Sequence, residues 1–125
     1  MSTIKDKNLA TIGQQEVDWA ARQMKVLEEI KTGFSSSKPL NGLNIGACMH
    51  VTKETANLML TLKAAGANVA LCASNPLSTK DSVAAYLSEN DIEVHAVHGV
   101  SNDDFFNHLN SCLLYTSDAA DDVAS

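Results

Sequence analysis

The feature that most constrains this chain is a unit repeated at intervals of about 25 residues. Short apolar runs begin at Leu43 (Leu-Asn-Ile-Gly-Ala-Cys), Val69 (Val-Ala-Leu-Cys-Ala) and Glu93 (Glu-Val-His-Ala-Val). Each is followed by a hydroxyl residue and then by apolar residues at the spacing of a helix face. Thr52 precedes Leu58, Met59 and Leu62, with Gly66 as the stop; Ser78-x-x-Asp81 precedes Val83, Ala84 and Leu87; Ser101-x-x-Asp104 precedes Phe105, Phe106 and Leu109. The last two match a capping pattern with a carboxylate in the first turn. Strand and helix alternating at this pitch require parallel strands joined by right-handed crossovers. The predicted fold class is therefore α/β: a Rossmann-like open parallel sheet, partial in extent.

A long N-terminal helix precedes the repeats. Between Ile12 and Phe34, Ala20, Met24, Leu27, Ile30 and Phe34 recur at steps of three and four. Trp19 and Met24 are expected in the core. Three serines and Pro39 then predict the end of the helix within Gly33 to Leu40. At the other end of the chain, residues 111–125 lack apolar periodicity where a fourth strand is due.

Composition sets the outer limits. At 125 residues the chain suffices for one domain. Its net charge of −6 argues against nucleic acid or an anionic membrane as partner. No apolar run nears the ~20 residues of a bilayer span, and Met1 to Leu9 does not read as a signal peptide. Cys48, Cys72 and Cys112 have no metal-ligand spacing, so no metal is expected. Cys48 and Cys72 sit in apolar runs as small hydrophobes, which suits a reduced, cytoplasmic protein.

In an open parallel sheet, ligands bind beyond the carboxyl ends of the strands. The loops there are Met49 to Thr52, Ser74 to Thr79 and His98 to Ser101. The first gathers His50, Thr52 and Glu54 at one helix start, a mixture of donors and acceptors that suits a neutral polar ligand such as a nucleoside. A phosphate fits less well, because Glu54 repels it and no glycine-rich loop follows the strand. Each residue also has a purely structural role open to it. Thr52 is a good N-cap, Glu54 favours the helix dipole, and Asn75-Pro76 is a turn signal. His95, His98 and His108 are expected to be structural or exposed, with His108 on the polar side of its helix.

The words of the sequence carry more than its periodicity. The stretch Lys38 to Leu58, with Cys48-Met-His-Val-Thr-Lys-Glu-Thr-Ala-Asn-Leu, and the stretch Leu71-Cys-Ala-Ser-Asn-Pro-Leu-Ser-Thr-Lys-Asp-Ser-Val-Ala-Ala resemble two signatures of the S-adenosyl-L-homocysteine hydrolases. Asp18 to Leu27 resembles that family's first long helix, and Val97 to Asn102 resembles a later loop loosely. The resemblance covers about Leu9 to Asn110. It implies cleavage of S-adenosyl-L-homocysteine with water to adenosine and L-homocysteine, in the methyl cycle of one-carbon metabolism. It also implies an NAD that oxidises the ribose 3′-hydroxyl, and a homotetrameric parent enzyme.

Carried over position by position, His50 matches the catalytic His that assists proton transfer near C5′. Thr52, Glu54 and Thr55 match residues lining the nucleoside site, and Asn75, Ser78 and Thr79 match the loop beside them. Lys80 stands where the family has Gln, offering donors only where an amide also accepts; Tyr86 replaces a small residue. No counterpart of the NAD-binding domain is present, so residues 1–110 are expected to be the N-terminal part of a substrate-binding domain, inactive alone. The alternative is a stand-alone nucleoside-binding module without catalysis. Residues 111–125 match nothing in the family and resemble translated sequencing-adapter DNA, so a foreign or disordered tail is expected.

Overall fold

The computed structural model describes the backbone of residues 2–124 and the side chains of residues 2–115. After a single 3-10 turn at Lys7–Leu9, the elements run α1 (Ala10–Gln23), α2 (Lys25–Ser37), β1 (Asn44–Cys48), α3 (Lys53–Ala64), β2 (Asn68–Cys72), α4 (Asp81–Glu89), β3 (Glu93–His95) and α5 (Asn102–Ala124). The three strands form one parallel sheet in the order β1-β2-β3. The α/β class and the three strand positions are those the repeats predict.

Strand β2 lies between two parallel neighbours and is covered on both faces, so Val69 to Cys72 are all buried. Its side chains alternate between two cores. Val69 and Leu71 join Val17, Val51, Met59, Val83, Leu87, Ile92 and Val94 under α3 and α4. Ala70 and Cys72 face Cys112, Leu109 and Tyr115 of α5 on the other side. The outer edge of β3 is covered by the N-terminal segment: Thr3 N–H donates to Val94 O at 2.7 Å, and Ala96 N–H to Thr3 O at 2.9 Å.

Several local expectations are corrected. The N-terminal helical segment spans residues 10–37 but is interrupted at Met24, whose φ of −115° and ψ of 59° leave the helical region. The three serines lie inside α2 rather than ending it; Ser35 and Ser37 turn their hydroxyls back to the carbonyls of Lys31 and Gly33. The helix ends at Lys38, in the left-handed region at φ 46°. Trp19 is half exposed, with the Lys53 ammonium 5.8 Å above its ring, and Met24 is half-buried rather than core. Val17, Ala20 and Gly13 carry the buried face of α1 instead.

The capping pattern holds at two of three sites. The Thr52 hydroxyl accepts from Thr55 N–H at 3.3 Å, and Ser101 Oγ from Asp104 N–H at 3.2 Å. Helix α4, however, begins three residues after Ser78, with Lys80 at its N-cap and no side-chain cap. Ser78 is captured by a turn: its hydroxyl donates to Asn75 O at 3.0 Å. His108 is buried, not on a polar face, because α5 turns it toward the sheet side. Cys48 is exposed despite its apolar neighbours. The segment 111–124 continues α5, and Cys112 within it is buried.

Candidate functional site

The three loops beyond the strand ends are sewn together through main-chain groups. Met49 N–H donates to Cys72 O at 3.1 Å, as if β1 and β2 continued. Then Val51, fully buried, pairs with Thr79 in an isolated parallel bridge: Val51 N–H donates to Ser78 O at 2.8 Å, and Lys80 N–H to Val51 O at 2.9 Å. The second loop is tied to the third by Gly99 N–H to Pro76 O at 2.7 Å and by His98 N–H to the Asp81 carboxylate at 3.0 Å. These bonds give the rim a fixed shape with little help from its exposed side chains.

The candidate residues divide into three groups. His50 is exposed at the crest of the first loop, its carbonyl accepting from Thr52 N–H at 3.0 Å. Thr52 and Thr55 are engaged with each other: the Thr52 hydroxyl donates to Thr55 Oγ1 at 3.3 Å while accepting from the Thr55 amide. Glu54 points outward and pairs with Lys53 at 3.4 Å.

In the second loop, Asn75 and Ser78 build the turn itself. Asn75 Oδ1 accepts from Leu77 N–H at 2.9 Å, and Ser78 Oγ accepts from Asn75 N–H at 3.2 Å. Thr79 differs from all of these. Its side chain is buried and its hydroxyl has no hydrogen-bond partner among the described residues. A buried hydroxyl without a partner is costly, which sets Thr79 apart from the other loop hydroxyls. The stitching thus brings His50, Thr52 and Thr55 beside Ser78 and Thr79, while Glu54 stands outward.

Three further residues shape the surroundings without any local signal in the sequence. Val51 reads as an ordinary apolar residue, yet it is the seam between two loops. Asp81 reads as a first-turn carboxylate, yet it anchors the third loop. Glu16 of α1 takes the Lys80 ammonium at 3.6 Å and the Ser82 hydroxyl at 2.5 Å. The first of these pairings lies 64 residues apart in sequence, and only the packing of α1 on α4 reveals it. Beside it, Gln15, Glu16, Trp19 and Lys53 line an open hollow of about 280 Å³.

Among the described residues, no cluster of three or more His, Cys, Asp or Glu could hold a metal ion. Nor is any described helix long and apolar enough to cross a membrane.

The chain matches the family model described as S-adenosyl-L-homocysteine hydrolase over residues 1–123. It is 48% identical to an adenosylhomocysteinase of Sulfolobus acidocaldarius over 90% of this chain and 27% of that protein. Against the adenosylhomocysteinase of Saccharolobus solfataricus the identity is 51%, over 88% of this chain and 26% of the relative. The adenosylhomocysteinase of Gloeobacter violaceus is 44% identical over 98% of this chain and 30% of its own length. The chain spans about a quarter of the length of the curated relatives it matches.

Proposed function

The chain belongs to the S-adenosyl-L-homocysteine hydrolase family, and from this we propose that residues 1–110 supply the N-terminal part of an adenosylhomocysteinase substrate-binding domain. The parent reaction is cleavage of S-adenosyl-L-homocysteine with water to adenosine and L-homocysteine. The observation that carries the reading is the buried, unpartnered Thr79 hydroxyl, joined through the Val51 bridge to the loop of His50 and Thr52.

In this proposal the nucleoside lies against the rim. Thr79 offers a hydroxyl that donates and accepts, Thr52, Thr55, Asn75 and Ser78 line the wall, and Glu54 exchanges its Lys53 partner for an amino group of the ligand. His50, exposed at the rim, holds or delivers a proton at the oxygen or sulfur that enters or leaves. Lys80 adds a positive donor, but its pairing with Glu16 draws it toward α1.

NAD, which the family resemblance implies as the oxidant of the ribose 3′-hydroxyl, does not fit the residues of this chain. The loop Met49 to Thr52 after β1 has no glycine to admit a pyrophosphate, and Glu54 in the first turn of α3 repels one. The cofactor's site belongs to other parts of the parent. On the same reading the parent is a cytoplasmic homotetramer of the methyl cycle.

The reading expects the purified chain, given NAD and S-adenosyl-L-homocysteine, to release no homocysteine in a thiol assay; release would overturn it. Adenosine should bind this half-site only at about millimolar concentration, perturbing the His50 ring resonances in an NMR titration. No perturbation of His50 at saturating adenosine would remove it from the site. Micromolar binding would favour a stand-alone nucleoside-binding module instead.

A further inference from the structure

Three thiols meet where α5 crosses the sheet. Cys48 ends β1 and Cys72 ends β2, and the two are direct partners across the parallel pair, so their side chains share a face. Cys112 descends onto that face from α5. Cys72 and Cys112 are both buried and, with Ala70, Leu109 and Tyr115, make up the small second core. The two residues pack together in that core, and the Cys112 thiol donates to Ala47 O at 3.6 Å. A half-enclosed cavity of about 180 Å³, bordered by Cys48, Cys72, Leu109, Cys112 and Leu113, opens beside them. Cys48 is the exposed member of the three.

We propose that Cys72 and Cys112 are an oxidisable pair that closes to a disulfide within the chain, pinning α5 to the end of β2 directly beneath the loop rim. The pair needs no distant approach, since the two residues share one small core, and the cavity that both line gives a small oxidant access to them.

With a hydroperoxide as oxidant, one of the two sulfurs takes one oxygen, becoming a sulfenic acid, and the alcohol or water leaves. The other gives up its proton and attacks that sulfur, the S–S bond forms, and the oxygen departs as water carrying the proton. Cys112 lies beyond the signature stretches that carry the family resemblance, so the pair is proposed for this chain. It stands independently of the adenosylhomocysteinase reading.

The test uses Cys48→Ser, which removes only the exposed thiol and leaves the buried pair intact. The reduced variant is treated with the azo oxidant diamide, which accepts both thiol hydrogens and leaves as the hydrazine. The expected product is a monomer about 2 Da lighter, with both thiols lost from titration in denaturant. Its thermal midpoint rises and returns when dithiothreitol is added. The proposal is overturned if both thiols still titrate after oxidation, or if the only disulfide formed links separate chains. Cys48→Ser/Cys112→Ser serves as control: it should form no intrachain bond, and an equal mass loss there would also overturn the assignment.

Discussion

Gly13 is the residue at which side-chain size matters most directly. α1 passes so close to α4 that a methyl group at position 13 would strike the carbonyl of Ser82. Gly13→Ala should therefore destabilise the fold by about 1–3 kcal/mol despite its gain in helix propensity, a loss visible as a lower midpoint in urea. Thr79 makes the opposite case. Because its hydroxyl has no partner among the described residues, Thr79→Val should leave stability within about 1 kcal/mol of the parent or raise it. A fall of several kcal/mol in denaturant unfolding would mean that the hydroxyl serves the fold rather than a ligand. Thr52→Ala should cost about 1 kcal/mol through loss of the α3 cap, and Thr52→Ser should restore it. The three sites differ in how far the sequence discloses them. Thr52 is legible from its position before an apolar helical run, a local rule. Gly13 and Thr79 gain their meaning from neighbours 69 and 28 residues away, Ser82 and Val51, which no local pattern contains.

At the scale of elements, the periodic repeats locate every strand and the helices between them, because burying alternate or every-third residues is what strands and helices are for. What they miss follows from competition. Ser78 has the sequence of a cap, but Asn75-Pro76 forms its own turn and holds the hydroxyl three residues upstream of the helix. Phe105, Phe106 and Leu109 suggest one buried face of α5, yet Phe106 is exposed and the buried line runs through His108 and Cys112. This inversion has a consequence in acid. Burial lowers the His108 pKa, helped by nearby His95 and opposed by Asp104. A folded-state pKa below the unfolded value means that the unfolded chain takes up the proton first. Stability is therefore full above about pH 6.5, the ordinary value, and declines as pH falls below it. His108→Gln should flatten that decline, as measured by thermal midpoints across the range.

For the whole molecule, the sheet has one covered edge and one open one. Thr3 closes β3, while β1 pairs only with β2 among the described residues. Leu43 O and Met49 N–H both bond toward β2, so by the alternation of a parallel ladder the amides of Gly46 and Cys48 point away from it. These two should exchange with deuterium faster than those of Ile45 and Ala47 in amide-exchange NMR, and equal protection would indicate a further strand or chain on that edge. The same edge, left open, is where association between molecules would start. The loops at the other end of β1 behave differently, since their shape depends on backbone atoms that every residue possesses. Lys80, in the position where the family words have Gln, keeps its amide on Val51 O. Shape and side-chain chemistry are thereby held apart: the rim can exchange one side chain for another without rebuilding the frame that presents it.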